Sequence, residues 1–529
     1  MKPGNRSAAG RQQAVGTQKE KVSEPQTVGC QLPTASLKQQ AARSCFVAAF
    51  FGLLMFLPAP AALYAQKKVS TIEDAKVYRE AMVWFKKAEA MIGTPKENSE
   101  EQADLFRKAL EIKPDFLEAH YDLGLIYANQ KKMKEAVGEF ENVLKLEPNF
   151  EGIHFLLAAG YRELGNTGAA IAALQEGIKR KPQELKMLKA LAYLQFNDAR
   201  DAAATQTLQK ILEIEPTDLN SRIDLALLYQ RGNRVDDAIA NYRDALQVDP
   251  NNFVAHYNLA LIYIKQRKNA EAAEELEAAN KSSPGNAEVL ERLGDVYAFQ
   301  RIHQKAAAAY QAALEKAPDR SAILSKLAFS LASLNRVPEA VSALENSVKL
   351  NPQNADAFFL LGDLYSDLKR NDEAITAYRN CLRIDPKQKE VHYNLGTLLA
   401  ERKQVDEALL ELKAAVGIDP NYAPAWSNLA LVSEKLGLDK EARQAHEKVV
   451  ALGKGQAQNY FHLGFLYAKD NQPDAAITAF GKAIEMEPEK YRQILREELK
   501  KVHSVLDNIR YTERFTRLLT GPVPSPNSH

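Results

Sequence analysis

The sequence predicts an all-α solenoid of stacked helical hairpins, and three observations predict it. A proline recurs at equal steps, at Pro114, Pro148, Pro182, Pro216 and so on to Pro420; Lys454 holds the next place, and Pro488 resumes the same register. Counting the third residue after each proline (or Lys454) as position one divides 117–490 into eleven units. Position seven is always leucine, from Leu123 to Leu463, and position twenty is always alanine, from Ala136 to Ala476. Position eight is always Gly or Ala, as at Gly124, Ala260 and Gly362. A fixed period of this length marks a chain of supersecondary units, each packed only on its neighbours.

Each element of the unit follows in order. Positions four, seven, eight and eleven fall at i, i+3, i+4 and i+7, one face of a first helix. Position eleven is usually tyrosine, as at Tyr127, Tyr229 and Tyr365. Turn-forming runs follow, such as Arg231-Gly232-Asn233 and Lys369-Arg370-Asn371-Asp372. Positions twenty, twenty-four and twenty-seven mark one face of a second helix, with a large residue at twenty-four such as Phe140, Tyr242 or Phe480. The small residues at eight and twenty let the two backbones approach. The proline cannot continue the second helix and opens the next unit.

These residues resemble the tetratricopeptide repeat family, whose 34-residue unit is helix–turn–helix with the same small, large and proline pattern. The resemblance covers 117–490 in strict register. A degenerate twelfth unit precedes it over roughly 72–116, keeping Phe106, Ala109 and Pro114 but carrying an insertion around Gly93-Thr94-Pro95, with Trp84 out of register. The resemblance implies a right-handed superhelical solenoid of about twelve repeats. It also implies that the first helices line a concave groove, faced by positions two, five, six, nine, twelve and thirteen.

The flanks divide the rest of the chain. Residues 1–43 hold seven Lys/Arg against two Glu, a charge of +5 within a chain of net charge +1. An uncharged stretch follows from Ser44 to Gln66, with an apolar core Phe46–Leu57 and a Pro/Ala exit to Ala65. Residues 1–65 thus read as a basic leader plus a bacterial signal peptide cleaved after Ala65. The alternative is an uncleaved inner-membrane anchor over 44–65, which Lys67 and Lys68 favour. Either way the repeats are expected outside the cytoplasm, in the periplasm or cell envelope. The leader is long for a signal peptide, which leaves room for a start downstream of Met1. Residues 66–116 form the lead-in and degenerate repeat, 491–520 charged capping helices, and 521–529 a Pro/Ser tail expected to be disordered.

The repeat region carries a near-neutral charge and no basic stripe with interleaved aromatics, so nucleic acid is not an expected partner. His120, His154, His256 and His392 share position four with Phe358, Trp426 and Tyr460, a packing slot, and no metal site is assigned. Cys381 takes position twenty-seven, where other units place alanine, and reads as a packing residue. Gly453-Lys454-Gly455 lacks the spacing of a phosphate loop. No catalytic or cofactor-binding motif is found, so the expected function is a non-enzymatic scaffold for partner proteins or extended peptides. An accessory arm of an envelope glycosyltransferase or polysaccharide-export machine and a structural spacer are the alternatives. A homo-oligomer is compatible with the pattern.

The family's groove positions nominate a peptide-binding set: Tyr257, Asn258, Tyr393, Asn394, Asn428 and Phe461. An asparagine amide can meet both the donor and the acceptor of an extended peptide backbone. Asn394 and Asn428 occupy neighbouring units and centre the patch on 389–462. The Lys/Asn clamp that some family members use for a C-terminal carboxylate is missing, since Lys189 is followed by Tyr193 and then Asp224.

Overall fold

The hairpins predicted by the recurring proline are present in a computed structural model, which describes residues 72–501 and 504–521. The leader and the C-terminal tail lie outside the described residues. Among the described residues there are 26 helices and no strand. They fall into two units, divided at Pro284 and Gly285. The first runs from the hairpin Ile72–Glu89 and Glu100–Ile112 to the hairpin Phe253–Lys265 and Asn269–Ser282. The second starts at Ala287–Phe299 and His303–Lys316 and ends with Ala457–Lys469 and Pro473–Met486, followed by Pro488–Glu498 and Glu513–Thr520. Within each unit, successive helices pack in sequence order, each second helix against the first helix of the next repeat. No described helix is long and apolar enough to cross a membrane.

The core of each hairpin is the close contact foreseen at positions eight and twenty. Every alanine at position twenty is fully buried, Ala136 and Ala272 among them. Glycine at position eight goes with a large ring at position twenty-four. A Cβ on Gly124 would meet Phe140 Cε1 at 2.6 Å, and one on Gly294 would meet Tyr310 Cε1 at 2.5 Å. Gly362 faces Tyr378 and Gly464 faces Phe480 in the same way. Where position twenty-four is leucine, position eight is mostly alanine, as in Ala158 with Leu174 and Ala328 with Leu344. The methyl group fills the space that the ring would take.

The turn inside each hairpin closes on one left-handed residue at position fifteen. Lys131, Asn233, Arg267 and Lys369 have φ of 61°, 59°, 59° and 60°, and Gly165 has 74°. The next residue's N–H returns to the carbonyl at position eleven, as from Lys132 to Tyr127 at 2.8 Å and from Arg370 to Tyr365 at 2.8 Å. This is a Schellman cap, which satisfies carbonyls that the first helix leaves orphaned. In the Arg231-Gly232-Asn233 turn the asparagine takes the left-handed place, while Gly232 has φ −78°. Only Gly165 and Gly437 put glycine at position fifteen. The other turns hold an L side chain where it costs roughly 1–2 kcal/mol.

The ends of the array depart from the repeat in understandable ways. In the first hairpin Phe85, next to the out-of-register Trp84, takes the inner place, 5.3 Å from the Phe106 ring and 4.9 Å from Phe116. Trp84 instead lies under the ammonium groups of Lys87 and Lys108. At the other end Tyr491, Leu495, Phe515 and Leu519 close the apolar face of Pro473–Met486. Arg492 Nε donates to the Leu518 carbonyl at 2.9 Å. The charged faces of these two helices point outward, as an end cap requires.

Two opposite substitutions test this packing. Gly124→Ala should destabilise the first unit by about 1–3 kcal/mol, because the methyl group overpacks the Phe140 ring. Ala199→Gly should stabilise by up to about 1 kcal/mol, because Ala199 sits at φ 54°. Denaturant unfolding, with hydrogen exchange to locate the change, measures both. Effects spread evenly over all repeats would contradict nearest-neighbour packing.

Candidate functional site

Side chains on the first helices tie consecutive repeats together through a recurring rung. In the second unit, position six of one repeat reaches position nine of the repeat before it. Lys326 Nζ donates to Asp295 at 2.9 Å and to Glu291 at 2.8 Å. Asn394 Nδ2 donates to Asp363 Oδ1 at 3.0 Å, and Asn428 Nδ2 to Thr397 Oγ1 at 2.8 Å. Thr397 in turn donates to the Tyr393 carbonyl at 2.8 Å. The structure therefore brings Tyr393, Asn394 and Asn428 together on one half-exposed face. The Nδ2 of each asparagine is engaged in a rung, however, and Oδ1 is the acceptor of each amide. Tyr393 stands edge-on to Tyr422, with ring centroids 5.5 Å apart.

Of the other three nominated residues, Asn258 and Tyr257 are buried and Phe461 is half-buried. Asn258 is 1% exposed and donates to the Val254 carbonyl of its own helix at 2.8 Å. Its rung partner would be Leu227, which accepts nothing, so the amide turns inward. Tyr257 is buried and stacked on Phe253. Phe461 packs among Phe465, Phe480 and Tyr491, where it helps seat the end cap. Tyr257 and Asn258 thus present almost no surface, and Phe461 presents only part of its ring.

Sequence reading missed the poorly solvated acids that occupy these repeat positions. Asp122 and Asp224 at position six, and Asp363 at position nine, are each pushed up to about 7. Burial is the leading cause in all three, reinforced by Glu89 and Glu118 at Asp122 and by Asp218 at Asp224. At Asp363 the hydrogen bonds from Tyr378 (2.7 Å) and Asn394 only partly offset burial. Both fall on Oδ1, and both donors are neutral. Asp295, at the same position two repeats earlier, also accepts from a tyrosine, Tyr310 at 2.8 Å, but has the Lys326 ammonium beside it. Pairing position six of each repeat with position nine of the one before would have revealed this difference.

The position-four histidines do not converge. Three of the four, His120, His256 and His392, join their repeat to the one before. His120 Nδ1 lies 2.5 Å from Glu139 and its Nε2 2.9 Å from the Pro114 carbonyl. His256 repeats this with Glu275 and Pro250, and His392 with Glu411 and Pro386, at 2.6 and 3.0 Å in each case. Trp426 Nε1 donates to the Pro420 carbonyl at 3.0 Å, so the slot is a donor to the inter-repeat proline as well as a packing site. A carbonyl and an ionised carboxylate both accept only, so this geometry is satisfied by hydrogen on both ring nitrogens, and we assign the ring as an imidazolium. At His120 and His392 burial opposes this, but the bonds to glutamate and proline outweigh it and raise the pKa. At His256 the Glu275 bond is the largest influence, again upward. His154 has Ala173 where the others have glutamate; burial and then Arg180 push it down. Cys381 is fully buried, which pushes its thiol up to about 12.

Stacked hairpins with this turn and this small-residue contact define a helical repeat protein. Tetratricopeptide repeat family models match residues 117–150, 155–218, 223–287, 257–321, 326–389, 367–432 and 457–490. Together they span more than half of the chain, which belongs to the tetratricopeptide repeat family. Residues 433–456, which carry the second helix of their repeat and the lost proline, fall between matches. A search of curated proteins finds no match. Among solved structures, MamA is 26% identical over 31% of this chain and 96% of its own, with a TM-score of 0.29. A tetratricopeptide repeat protein from Parabacteroides merdae is 21% identical, covering 46% of this chain and 97% of its own, TM-score 0.34. PilF of Pseudomonas aeruginosa is also 21% identical, covering 39% and 94%, TM-score 0.33. Repeats of this family mediate protein–protein contacts, and this chain is an interaction scaffold of that kind.

The histidine clamps give stability a definite pH dependence. Their folded pKa values are raised above the ordinary ~6.5, so their contribution is full below that pH and is lost as pH rises through the folded values. Denaturant unfolding between pH 5 and 9 should show the wild type losing stability relative to a His120→Phe, His256→Phe, His392→Phe variant as pH increases. Parallel profiles for the two proteins would refute the imidazolium assignment.

Proposed function

We propose that this chain is a non-enzymatic adaptor, exported to the bacterial cell envelope, that holds partner proteins by extended segments carrying a basic side chain. The segment lies along the first helices of repeats 355–388, 389–422 and 423–456. Its lysine or arginine pairs with Asp363, its backbone N–H groups reach Oδ1 of Asn394 and Asn428, and an apolar side chain rests on Tyr393. The observation that carries this reading is the Asp363 carboxylate. It sits in a poorly solvated face with two neutral donors and no cation among the described residues. A guest cation there would recover the charge pairing that Lys326 supplies to Asp295.

Asp363→Asn tests the contact without removing volume. A hydrogen bond to a charged group contributes about 1.5–3 kcal/mol, so affinity for lysine- or arginine-bearing extended peptides should fall by about ten- to a hundredfold. Calorimetry with such peptides, and with glutamine-substituted controls, measures this. Folding stability should hold or rise. Equal affinity of wild type and variant, or equal binding of the glutamine peptides, would remove Asp363 from the site.

Export rests on the basic leader and its apolar core, Phe46–Leu57. N-terminal sequencing of the mature protein from envelope fractions should begin at or near Gln66. A full-length membrane-bound product would select the anchored form, and a full-length cytosolic product would end the export reading.

A further inference from the structure

The repeat 423–456 breaks the pattern at several positions, and three of the unusual side chains meet. Position twenty-four holds a Phe, Leu or Tyr in the other ten repeats but His446 here. Position twelve carries a carboxylate only at Glu434, and position six of the next repeat carries a histidine only at His462. Glu434 ends the first helix Ala423–Lys435, His446 lies in the second helix Asp439–Ala451, and His462 lies in Ala457–Lys469. The proline that should join these two repeats is Lys454.

The geometry is that of a ligand set. Glu434 Oε1 lies 2.9 Å from His446 Nε2, and its Oε2 lies 2.8 Å from His462 Nδ1. The two imidazoles are stacked, with centroids 5.3 Å apart and planes 12° from parallel. One ligand atom from each residue falls within 4.8 Å of the other two. His446 is 1% exposed, an unusual cost for a slot that Phe, Leu or Tyr fills elsewhere. Glu434 and His462 are about a quarter exposed, which leaves the open side toward solvent. Asn459 Nδ2 lies 3.2 Å from His446 Nδ1, and Gln458 Nε2 lies 3.3 Å from His462 Nε2. Without an ion the carboxylate accepts one N–H from each ring; burial opposes its charge, but the two bonds win and hold it at about 2.

We propose that Glu434, His446 and His462 bind one divalent transition-metal ion of the zinc class, joining the last two repeats where the proline register is lost. The two N–H protons that now face Glu434 shift to the far ring nitrogens, Nδ1 of His446 and Nε2 of His462, where the Gln458 amide turns over to accept, and Nε2 of His446, Nδ1 of His462 and a carboxylate oxygen take the ion. Two imidazoles and one carboxylate suit Zn²⁺ and its surrogate Co²⁺, with the fourth position left for water. Tetrahedral ligands at about 2.0–2.1 Å from the ion stand about 3.3 Å apart. A turn of the partly exposed His462 ring closes the remaining distance. On His446 the proton moves to Nδ1, and the Asn459 amide turns over to accept it, giving up its cap on the Gln456 N–H.

The test uses the full-length chain, stripped with a chelator and titrated with Zn²⁺ and then with Co²⁺. Calorimetry should give one site that His462→Gln weakens by at least about tenfold, with Glu434→Gln acting likewise. Co²⁺ should produce visible d–d absorption in the wild type that His462→Gln abolishes. Zn²⁺ should raise the Tm of the wild type and not of the variant, whose metal-free Tm stays close to wild type because the ring is partly exposed. His446→Leu installs a residue that five other repeats carry there and should fold while losing the site. Absence of saturable binding, or equal affinity in the wild type and both histidine variants, would show that the three residues form a hydrogen-bonded network only.

Discussion

Everything in this chain depends on how closely two helices can approach at positions eight and twenty. Ala136, Ala272 and their equivalents are fully buried, and nothing larger fits without moving the partner backbone. That contact fixes the hairpin, and the hairpin fixes which residues face outward. The exchange between glycine opposite a ring and alanine opposite leucine keeps the filled volume nearly constant along the array. Gly396 opposite Leu412 and Ala226 opposite Tyr242 show that the balance can be struck in other ways. The apolar contact is renewed once in every repeat, so each unit can devote its remaining positions to joints and to display.

The joints are polar and local. The imidazolium of His120 or the indole of Trp426 reaches back to a proline carbonyl that no helix satisfies. The asparagine and lysine rungs hold neighbouring first helices. One residue type thus has different fates according to what lies one repeat away. Asn394 finds Asp363 and stays half-exposed, whereas Asn258 finds Leu227 and folds onto its own helix.

The hairpins, their turns and their buried positions were legible in the sequence because they rest on volume and backbone geometry that recur unchanged. Leu123 and Ala136 could be assigned without any neighbour being known. The groove set was only partly legible, because exposure there depends on side chains of the facing helix and of the adjacent repeat. His256 reads as a packing ring until Glu275 and Pro250 are placed around it. Glu434, His446 and His462 sit at three different positions of two repeats, so no periodic reading brings them together. Trp84 looked out of register because its neighbour Phe85 holds the inner place.

The donor at position four has a consequence for how such an array can be cut and recombined. Its acceptor, the proline carbonyl, lies upstream, on the far side of the conventional repeat border. A module excised at residue 253 or 389 would carry the imidazolium but leave its acceptor behind on the discarded piece. The unit of inheritance and the unit of folding are therefore slightly out of phase. Segments meant to be transplanted should begin at or before the proline, at 250 or 386, so that the seam travels with the module it closes.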